Sequence, residues 1–259
     1  MAGLWERRSS RAARIARGLG AFSVVLFAVA VVGHRFGLVE TIPFLGVLAI
    51  VGVLAVLAAL FAGIAFARIW VYGHRGAGAA AAGLLLALTA LAPYAVSAWR
   101  MAVYPPLSDV STDLVDPPEM PVARRLREPG MNPIRPISQE AALLQTESYP
   151  DLAGRRYEYG RDRVASEVDA LLAARGWAIS GRQQREGAEQ VTIIEAVARS
   201  FLLGLESDVA IRIADDEAAT LVDMRAVSRY GPHDLGDNAK CIRSFLSDLD
   251  QKLANLPGQ

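Results

Sequence analysis

Three long apolar segments within the first hundred residues constrain this chain more than any other feature. They run over Leu19–Val32, Phe44–Ala67 and Ala77–Trp99. About 20 consecutive apolar residues cross the hydrocarbon core of a bilayer as a helix, so the second and third segments are long enough. The first segment reaches that length if Arg17 and Arg35 extend their charged ends to the interface. We therefore predict a region of three transmembrane helices over residues 18–100.

A cleaved signal peptide is the alternative interpretation of the first segment. An arginine-rich start precedes an apolar stretch, and the small residues at 28–30 resemble a cleavage site. The apolar sequence continues past that point through Val32, which favours a membrane helix. Under either interpretation the part of the chain that follows Trp99 is expected to be exported.

The arginines are distributed unevenly around the apolar segments, and this bias predicts the orientation. Five of them precede the first segment, namely Arg7, Arg8, Arg11, Arg14 and Arg17. Arg68 and Arg75 lie between the second and third segments, whereas the first loop carries Arg35 opposed by Glu40. Because cytoplasmic loops are enriched in Lys and Arg, the arm of residues 1–17 is expected in the cytoplasm. Three crossings then place the C-terminal part on the outer side, which in a Gram-negative cell is the periplasm.

The second and third apolar segments contain no Asp, Glu, Lys or Arg. Ion and proton pathways usually depend on such groups, so the segments predict an anchor rather than a transporter. The formal net charge of +0 gives no basic footprint for nucleic acid. The expected partners are the lipid bilayer and another membrane or periplasmic protein, with no nucleic acid.

Residues 101–155 are rich in proline and lack the periodicity of helices or strands. Proline forbids regular helix over most of this range, because it lacks an N–H group and restricts the residue before it. We predict an extended linker that lies along other surfaces or spaces the next domain from the bilayer. A short helix over Ser138–Thr146, with Ser138 as its N-cap, is the expected exception.

One part of this linker carries oxygen side chains at alternate positions, which can begin a calcium-binding loop. These residues are Asp109, Ser111 and Asp113. Leu114 stands in the place of the turn glycine and Met120 in the place of the bidentate glutamate, so the rest of the pattern is missing. The alternative is local capping, in which these side chains bind nearby backbone amides. No metal or cofactor is expected.

Residues 156–259 alternate between β-branched and amphipathic segments, which predicts a periplasmic α+β domain. Strands are predicted over 156–159, 177–181, 190–201, 208–214 and 219–228, and helices over 163–175 and 235–253. Asp162 and Asp234 are the expected N-caps of the two helices. The order of these elements indicates a two-layer sandwich of an antiparallel sheet with helices on one face.

Strand parity places charged side chains on the sheet face that the helices leave open. The arginines among them are Arg199, Arg212, Arg225 and Arg229. We interpret them as a candidate surface for an anion or a partner; the alternative is a solvated face with cross-strand ion pairs. Tyr230, Asp234 and Asn238 join the candidate set, because a helix N-terminus can hold an anion. The alternative is that they only connect strand to helix.

No catalytic constellation is recognisable in the sequence. His233 precedes the last predicted helix in a turn, and Cys241 has no histidine at a fixed spacing. Motifs of serine hydrolases, zinc peptidases and phosphate-binding loops are missing. The single cysteine also excludes an intramolecular disulfide. Catalytic residues are accordingly not predicted.

Two stretches of the chain are distinctive enough to suggest a family. The first, from Arg225 to Asn238, reads Arg-Ala-Val-Ser-Arg-Tyr-Gly-Pro-His-Asp-Leu-Gly-Asp-Asn. The second, Asp-x-Ser-Thr-Asp followed by Pro-Pro, is matched by Asp109 to Pro118. Both resemble the uncharacterised bacterial family named domain of unknown function 1499. Many alphaproteobacterial members are similar over the whole chain, including the turn at residues 34–38. The resemblance implies an inner-membrane protein with an exported domain, and it implies no activity.

Three functional hypotheses follow from these observations. The first is a membrane-anchored interaction or scaffold module that works at the periplasmic face. The second is a binding module for an anionic small molecule or lipid headgroup, which would use Arg225, Arg229 and the start of the last helix. The third, an enzyme of unrecognised type, has the least support.

Overall fold

The structure, a computed structural model, describes residues 9–185, 190–200, 202–216 and 219–255. The chain divides into two compact units. The first comprises Met1–Trp99 with Leu202–Gly204, and the second comprises Arg100–Phe201 with Leu205–Gln259. Parts of the predicted arm, of the predicted strand over 190–201 and of the predicted C-terminal domain lie outside the described residues.

Three helices form most of the first unit: α1 (Arg11–Arg35), α2 (Thr41–Tyr72) and α3 (Ala77–Val103). By length and composition, each could cross a membrane. The predicted α-helical region is therefore confirmed. The first helix starts earlier than expected, because the Ser10 hydroxyl accepts a hydrogen bond from the Ala13 amide at 3.3 Å and caps it. Residues 11–17 of the predicted arm thus belong to α1.

Small residues allow α1 and α3 to approach closely. A Cβ atom added to Gly83 would lie 2.7 Å from backbone atoms of Ala16 and Arg17, so a larger residue cannot fit without displacing backbone. A Cβ atom on Gly20 would similarly lie 2.9 Å from the Gly83 carbonyl oxygen. Close backbone approach of this kind is typical of helices that associate in membranes.

The second unit is built on one antiparallel sheet. Its strands are β1 (Asp109–Ser111), β2 (Arg155–Tyr157), β3 (Ala178–Arg185), β4 (Val191–Arg199), β5 (Glu206–Asp216) and β6 (Ala219–Ser228). The order is β1-β6-β5-β4-β3, and β2 also pairs with β6. The two short strands share one edge of β6, with Val110 opposite Ala226 and Arg156 opposite Leu221.

Two helices cover one face of this sheet: α6 (Arg161–Ala174) and α7 (Asp237–Ala254). Apolar side chains from both helices, among them Leu172 and Phe245, pack on alternate strand residues such as Ile194, Ile211 and Met224. This alternation follows from the pleat of the strands, which sends successive side chains to opposite faces. The predicted α+β class, with an antiparallel sheet and helices on one face, is confirmed.

The opposite sheet face is covered as well, by residues 112–136, which we name the strap. The strap contains the short helix α4 (Pro121–Arg125). Its apolar side chains Met120, Ala123 and Ile134 pack on Ile193, Ala210 and Val227 of the sheet in a second, smaller core. The proline-rich segment therefore covers the part of this face around Ile193, Ala210 and Val227, which the sequence prediction left open.

Residues 101–155 thus behave differently from a spacer. Ser138 caps α5 (Gln139–Ser148) and accepts from the Ala141 amide at 3.2 Å, as predicted. Leu107, Val110 and Tyr149 enter the main core, and the second unit begins at Arg100 rather than at residue 156. Proline prevents regular helix but does not prevent burial. A prediction from composition alone therefore placed the start of this unit too far along the chain.

Candidate functional site

The charged side chains predicted on one sheet face do share a face, but that face is buried. Of the charges predicted there, Glu195, Asp223 and Arg225 are each less than 5% exposed. The expectation that the helices leave these charges open to solvent is therefore wrong. The physical reason is that the strap covers these side chains. Its carboxylate, carbonyl and amide groups form the hydrogen bonds that water was expected to form.

Arg212 lies at the centre of the first cluster on this face. Its guanidinium donates to Asp223 Oδ2 on β6 at 2.8 Å and to Asp113 Oδ2 on the strap at 2.7 Å. It also donates to the carbonyl and carboxylate oxygens of Asp116 at 2.8 and 2.7 Å. Burial acts to lower the pKa of Arg212, but the bonds to Asp223 and Asp113 outweigh it and the pKa is raised.

Arg225 joins the two signature stretches. Its Nε and Nη2 atoms donate to the two carboxylate oxygens of Asp109 at 3.0 and 2.7 Å. A third bond runs to the Arg135 carbonyl oxygen at 2.7 Å. The side chain of Arg225 is only 4% exposed, so this fork is a buried, bidentate pair.

Arg229, directly after β6, lies at the centre of the third cluster; the pair of Arg225 and Asp109 is the second. It donates to Asp208 at 2.8–3.3 Å and also pairs with Glu206. Arg127 of the strap pairs with the same Asp208 carboxylate, so one buried anion serves two cations. Burial acts to lower the pKa of Arg229, and the neighbouring carboxylates outweigh that effect and raise it.

Arg199 is the exception among the predicted arginines. Its side chain is 59% exposed and pairs with Glu206 at 2.8 Å. This residue fits the solvated ion pair that the sequence offered as the alternative. Glu195, four residues earlier on the same face of β4, is buried and instead accepts hydrogen bonds from the Val122 and Ala123 amides of α4 at 3.0 and 2.7 Å.

In the turn after β6, the signature residues Asp234 and Asn238 form hydrogen bonds that connect β6 to the last helix. Asp234 is buried and accepts from the Gly236 and Asn238 amides at 2.8 and 2.9 Å. Burial raises the pKa of Asp234, while those two amide bonds lower it in part. Asn238 donates to the Ser108 carbonyl and the Ser228 hydroxyl, each at 3.0 Å. The last helix is thereby tied to the segment ahead of β1.

Two details of that turn correct the sequence prediction. The helix starts at Asp237 rather than at Leu235, because Leu235 and Gly236 have φ values of 58° and 78° that a right-handed helix excludes. The proposed anion position at the helix start is filled by the chain itself, since Asp234 accepts from the Asn238 amide. Tyr230 is partly buried directly after Arg229.

The weak calcium candidate is also accounted for by internal contacts. Asp109 faces Arg225, and Asp113 faces Arg212. The Ser111 hydroxyl donates to the Asp113 carbonyl oxygen at 2.7 Å. Within the described ranges, no group of three or more His, Cys, Asp or Glu is placed to hold a metal ion.

Several residues of this network were missed by the sequence prediction. Asp208 shares strand parity with Arg212, so alternation along β5 could have found it. Arg127 and Asn132 carry no such signal, because the strap has no period. Asn132 donates to the Ser228 and Gly231 carbonyl oxygens at 2.9 and 2.7 Å, contacts that only the folded chain brings together.

Cys241 provides a prediction for this unit. Burial raises the pKa of its thiol to about 12. At pH 7.5 the thiolate that reacts with maleimides is therefore scarce, and we expect labelling of the folded full chain to be at least tenfold slower than after denaturation. Mass spectrometry over a time course measures both rates. Equal rates in the two states would contradict the raised pKa of this partly buried thiol.

The range matched by a known protein family includes most of the residues that build this network. Neither the curated proteins nor the solved structures contain a match to the chain. The model of one family matches residues 109–249, a range that starts at the Asp109 partner of Arg225 and extends into α7. That range covers more than half of the 259 residues, so the chain belongs to the family described as Protein of unknown function (DUF1499).

Proposed function

We propose that the chain is anchored in a bacterial inner membrane and presents its second unit as an interaction module on the periplasmic side. Three helices suited to crossing a membrane support the anchor. The proposed interaction module is the second unit, which begins at Arg100.

The distribution of arginines supports the proposed orientation. Arg11, Arg14 and Arg17 lie in the first turns of α1, Arg68 lies near the end of α2, and Arg75 lies in the connection from α2 to α3. Basic residues favour the cytoplasmic side, so the N-terminus and this connection would lie inside the cell. An odd number of crossings then leaves the second unit outside.

The exposure of Val115 is the observation that supports the interaction role. Its side chain is 97% exposed at a turn of the strap. Asp113 stabilises that turn by accepting hydrogen bonds from the Val115 and Asp116 amides at 3.0 and 2.9 Å. Arg212 in turn donates hydrogen bonds to the carboxylates of Asp113 and Asp116. A fixed turn that holds an apolar side chain in water loses little conformational entropy when a partner covers it. The partner would be a membrane or periplasmic protein with an apolar pocket.

Burial acts to raise the pKa of Asp113, but bonds from the Asp116 amide and Arg212 outweigh it and the pKa is lowered. The carboxylate therefore stays charged, and the turn stays fixed, throughout the neutral pH range. The anion-binding alternative has less support, because Arg225 and Arg229 already bind carboxylates of the same unit.

Cysteine labelling tests the orientation. In a Cys241→Ala background, we would introduce Tyr72→Cys at the end of α2 or Glu158→Cys in the second unit; both positions are exposed. A membrane-impermeant maleimide is expected to label Glu158→Cys in intact cells and Tyr72→Cys only after permeabilisation. The reverse pattern would overturn the proposed orientation.

Site-specific photocrosslinking tests the interaction role. A photoactivatable residue at position 115 is expected to form a discrete adduct with another protein in native membranes, whereas the same residue at exposed position 158 is not. Arg212→Gln, which frees the turn, should weaken the adduct at 115. The role is refuted if position 115 forms no adduct, or if positions 115 and 158 capture the same proteins equally.

A further inference from the structure

An open cavity of about 500 Å³ lies in the second unit, directly after the last residue of α3. Its apolar wall includes Val103, Pro105 and Leu144, and its polar wall includes Ser148, Tyr149 and Arg243. These polar side chains are all hydrogen-bond donors, and Asp151, the partner of Arg243, is not part of the wall. Such a wall suits a ligand that brings acceptor oxygens and a small apolar part.

Tyr149 is the unusual member of this wall. It is 5% exposed, yet its hydroxyl has no hydrogen-bond partner among the described residues. Burial raises the pKa of this phenol to about 12, so the hydroxyl keeps its proton at neutral pH. A buried hydroxyl without a partner is costly, and native structures normally satisfy it. An acceptor atom of a bound ligand would remove that cost.

Arg243 supplies a cation at the same place. Its guanidinium lies 5.0 Å from the centre of the Tyr149 ring and is forked onto Asp151 at 2.7 and 2.6 Å. The fork uses Nε and Nη2, so Nη1 is left for a further acceptor. Guanidinium groups match the geometry of phosphate oxygens as well as that of carboxylates.

A lipid headgroup is one source of such a phosphate group, and that part of the inference rests on the proposed membrane anchoring.

We propose that this cavity binds a phosphate group, with Tyr149 and Arg243 as its donors. A phospholipid headgroup and a soluble phosphate ester share this chemistry. The apolar wall at Val103 and Leu144 would contact the glycerol part or the first methylene groups of a lipid.

Native mass spectrometry of the full chain in a phosphate-free detergent provides the test. The probes are dihexanoyl phosphatidylglycerol, glycerol 3-phosphate and dihexanoylglycerol, which lacks phosphate. We expect the first probe to bind and the third to fail. Binding of glycerol 3-phosphate with similar affinity would identify a soluble ester as the source, and binding of the lipid alone would identify the headgroup.

Three variants make this test specific. Tyr149→Phe removes only the unpartnered hydroxyl, so the fold should keep its stability while phosphate binding weakens about tenfold. Arg243→Gln should weaken binding at least as much. The matched control is Arg175→Gln, since Arg175 also stacks on an aromatic ring and pairs with an aspartate but lies outside this cavity. Unchanged binding in both Tyr149→Phe and Arg243→Gln, or equal binding of dihexanoylglycerol, would overturn the proposal.

Discussion

Replacing Asp208 with alanine is expected to destabilise the second unit by about 3–5 kcal/mol, the usual cost of removing one partner of a buried ion pair. Asp208 is 2% exposed and is the shared anion of Arg127 and Arg229. The variant leaves both guanidinium groups beneath the strap without that carboxylate. Arg127 should lose the most, because its Nε and Nη2 atoms are already buried and have no hydrogen-bond partner in the part of the chain that the structure describes.

Hydrogen–deuterium exchange of the detergent-solubilised full chain measures this loss locally. Amides of β5 and β6 should exchange faster, while those of α1–α3 keep their rates. The matched control is Glu119→Ala, which breaks an ion pair with Arg185. The side chain of Arg185 is 60% exposed and that of Glu119 is 55% exposed. Exposed pairs are worth less than about 1 kcal/mol. Equal effects of the two variants would mean that the strap does not bury Asp208.

Gly154→Ala is expected to cost about 1–3 kcal/mol, as overpacking of a well-packed site does. A Cβ atom at this position would overlap Asp223 Oδ1 and lie 3.2 Å from the Val222 carbonyl oxygen. Asp223 cannot move aside cheaply, because Arg212 and Thr112 hold its two carboxylate oxygens at 2.8 and 2.9 Å. Either the segment ahead of β2 shifts or the Arg212 cluster loses its β6 partner.

The control for this variant lies six residues further on. Gly160 has a φ of −63° and open space where a Cβ atom would lie, so Gly160→Ala should cost less than about 1 kcal/mol, chiefly because alanine is a poorer N-cap for α6. Urea unfolding of the second unit in the full chain, followed by exchange of β2 and β6 amides, compares the two. If both glycine variants are equally stable, the contact between Gly154 and Asp223 is not as described.

Regular periodicity made much of the fold predictable. β6 was predicted over Ala219–Ser228 and has those bounds, because β-branched and apolar residues alternate between two turn signals. The stripe that includes Ile242, Phe245 and Leu249 on α7 is buried as its helical spacing indicates. The membrane helices were similarly visible, since length and apolarity are properties of the sequence alone.

The covering of the second sheet face could not be predicted in the same way. The strap has no period of 2 or 3.6, so nothing local indicates which surface Met120 or Ile134 contacts. Charge on one strand face is equally compatible with solvent and with buried pairing. Arg225 and Asp109 are far apart in the sequence, and only the register of β1 on β6 brings them together.

A double-mutant cycle on Asp109 and Arg225 tests most directly whether the signature residues of this family brace the strap and the first strand against the sheet. Asp109→Ala, Arg225→Ala and the double variant would be compared by exchange of β1 and β6 amides in the full chain. We expect the double variant to lose less stability than the sum of the two single variants, with a coupling energy of about 1 kcal/mol or more. Additive losses, within about 0.3 kcal/mol, would contradict it.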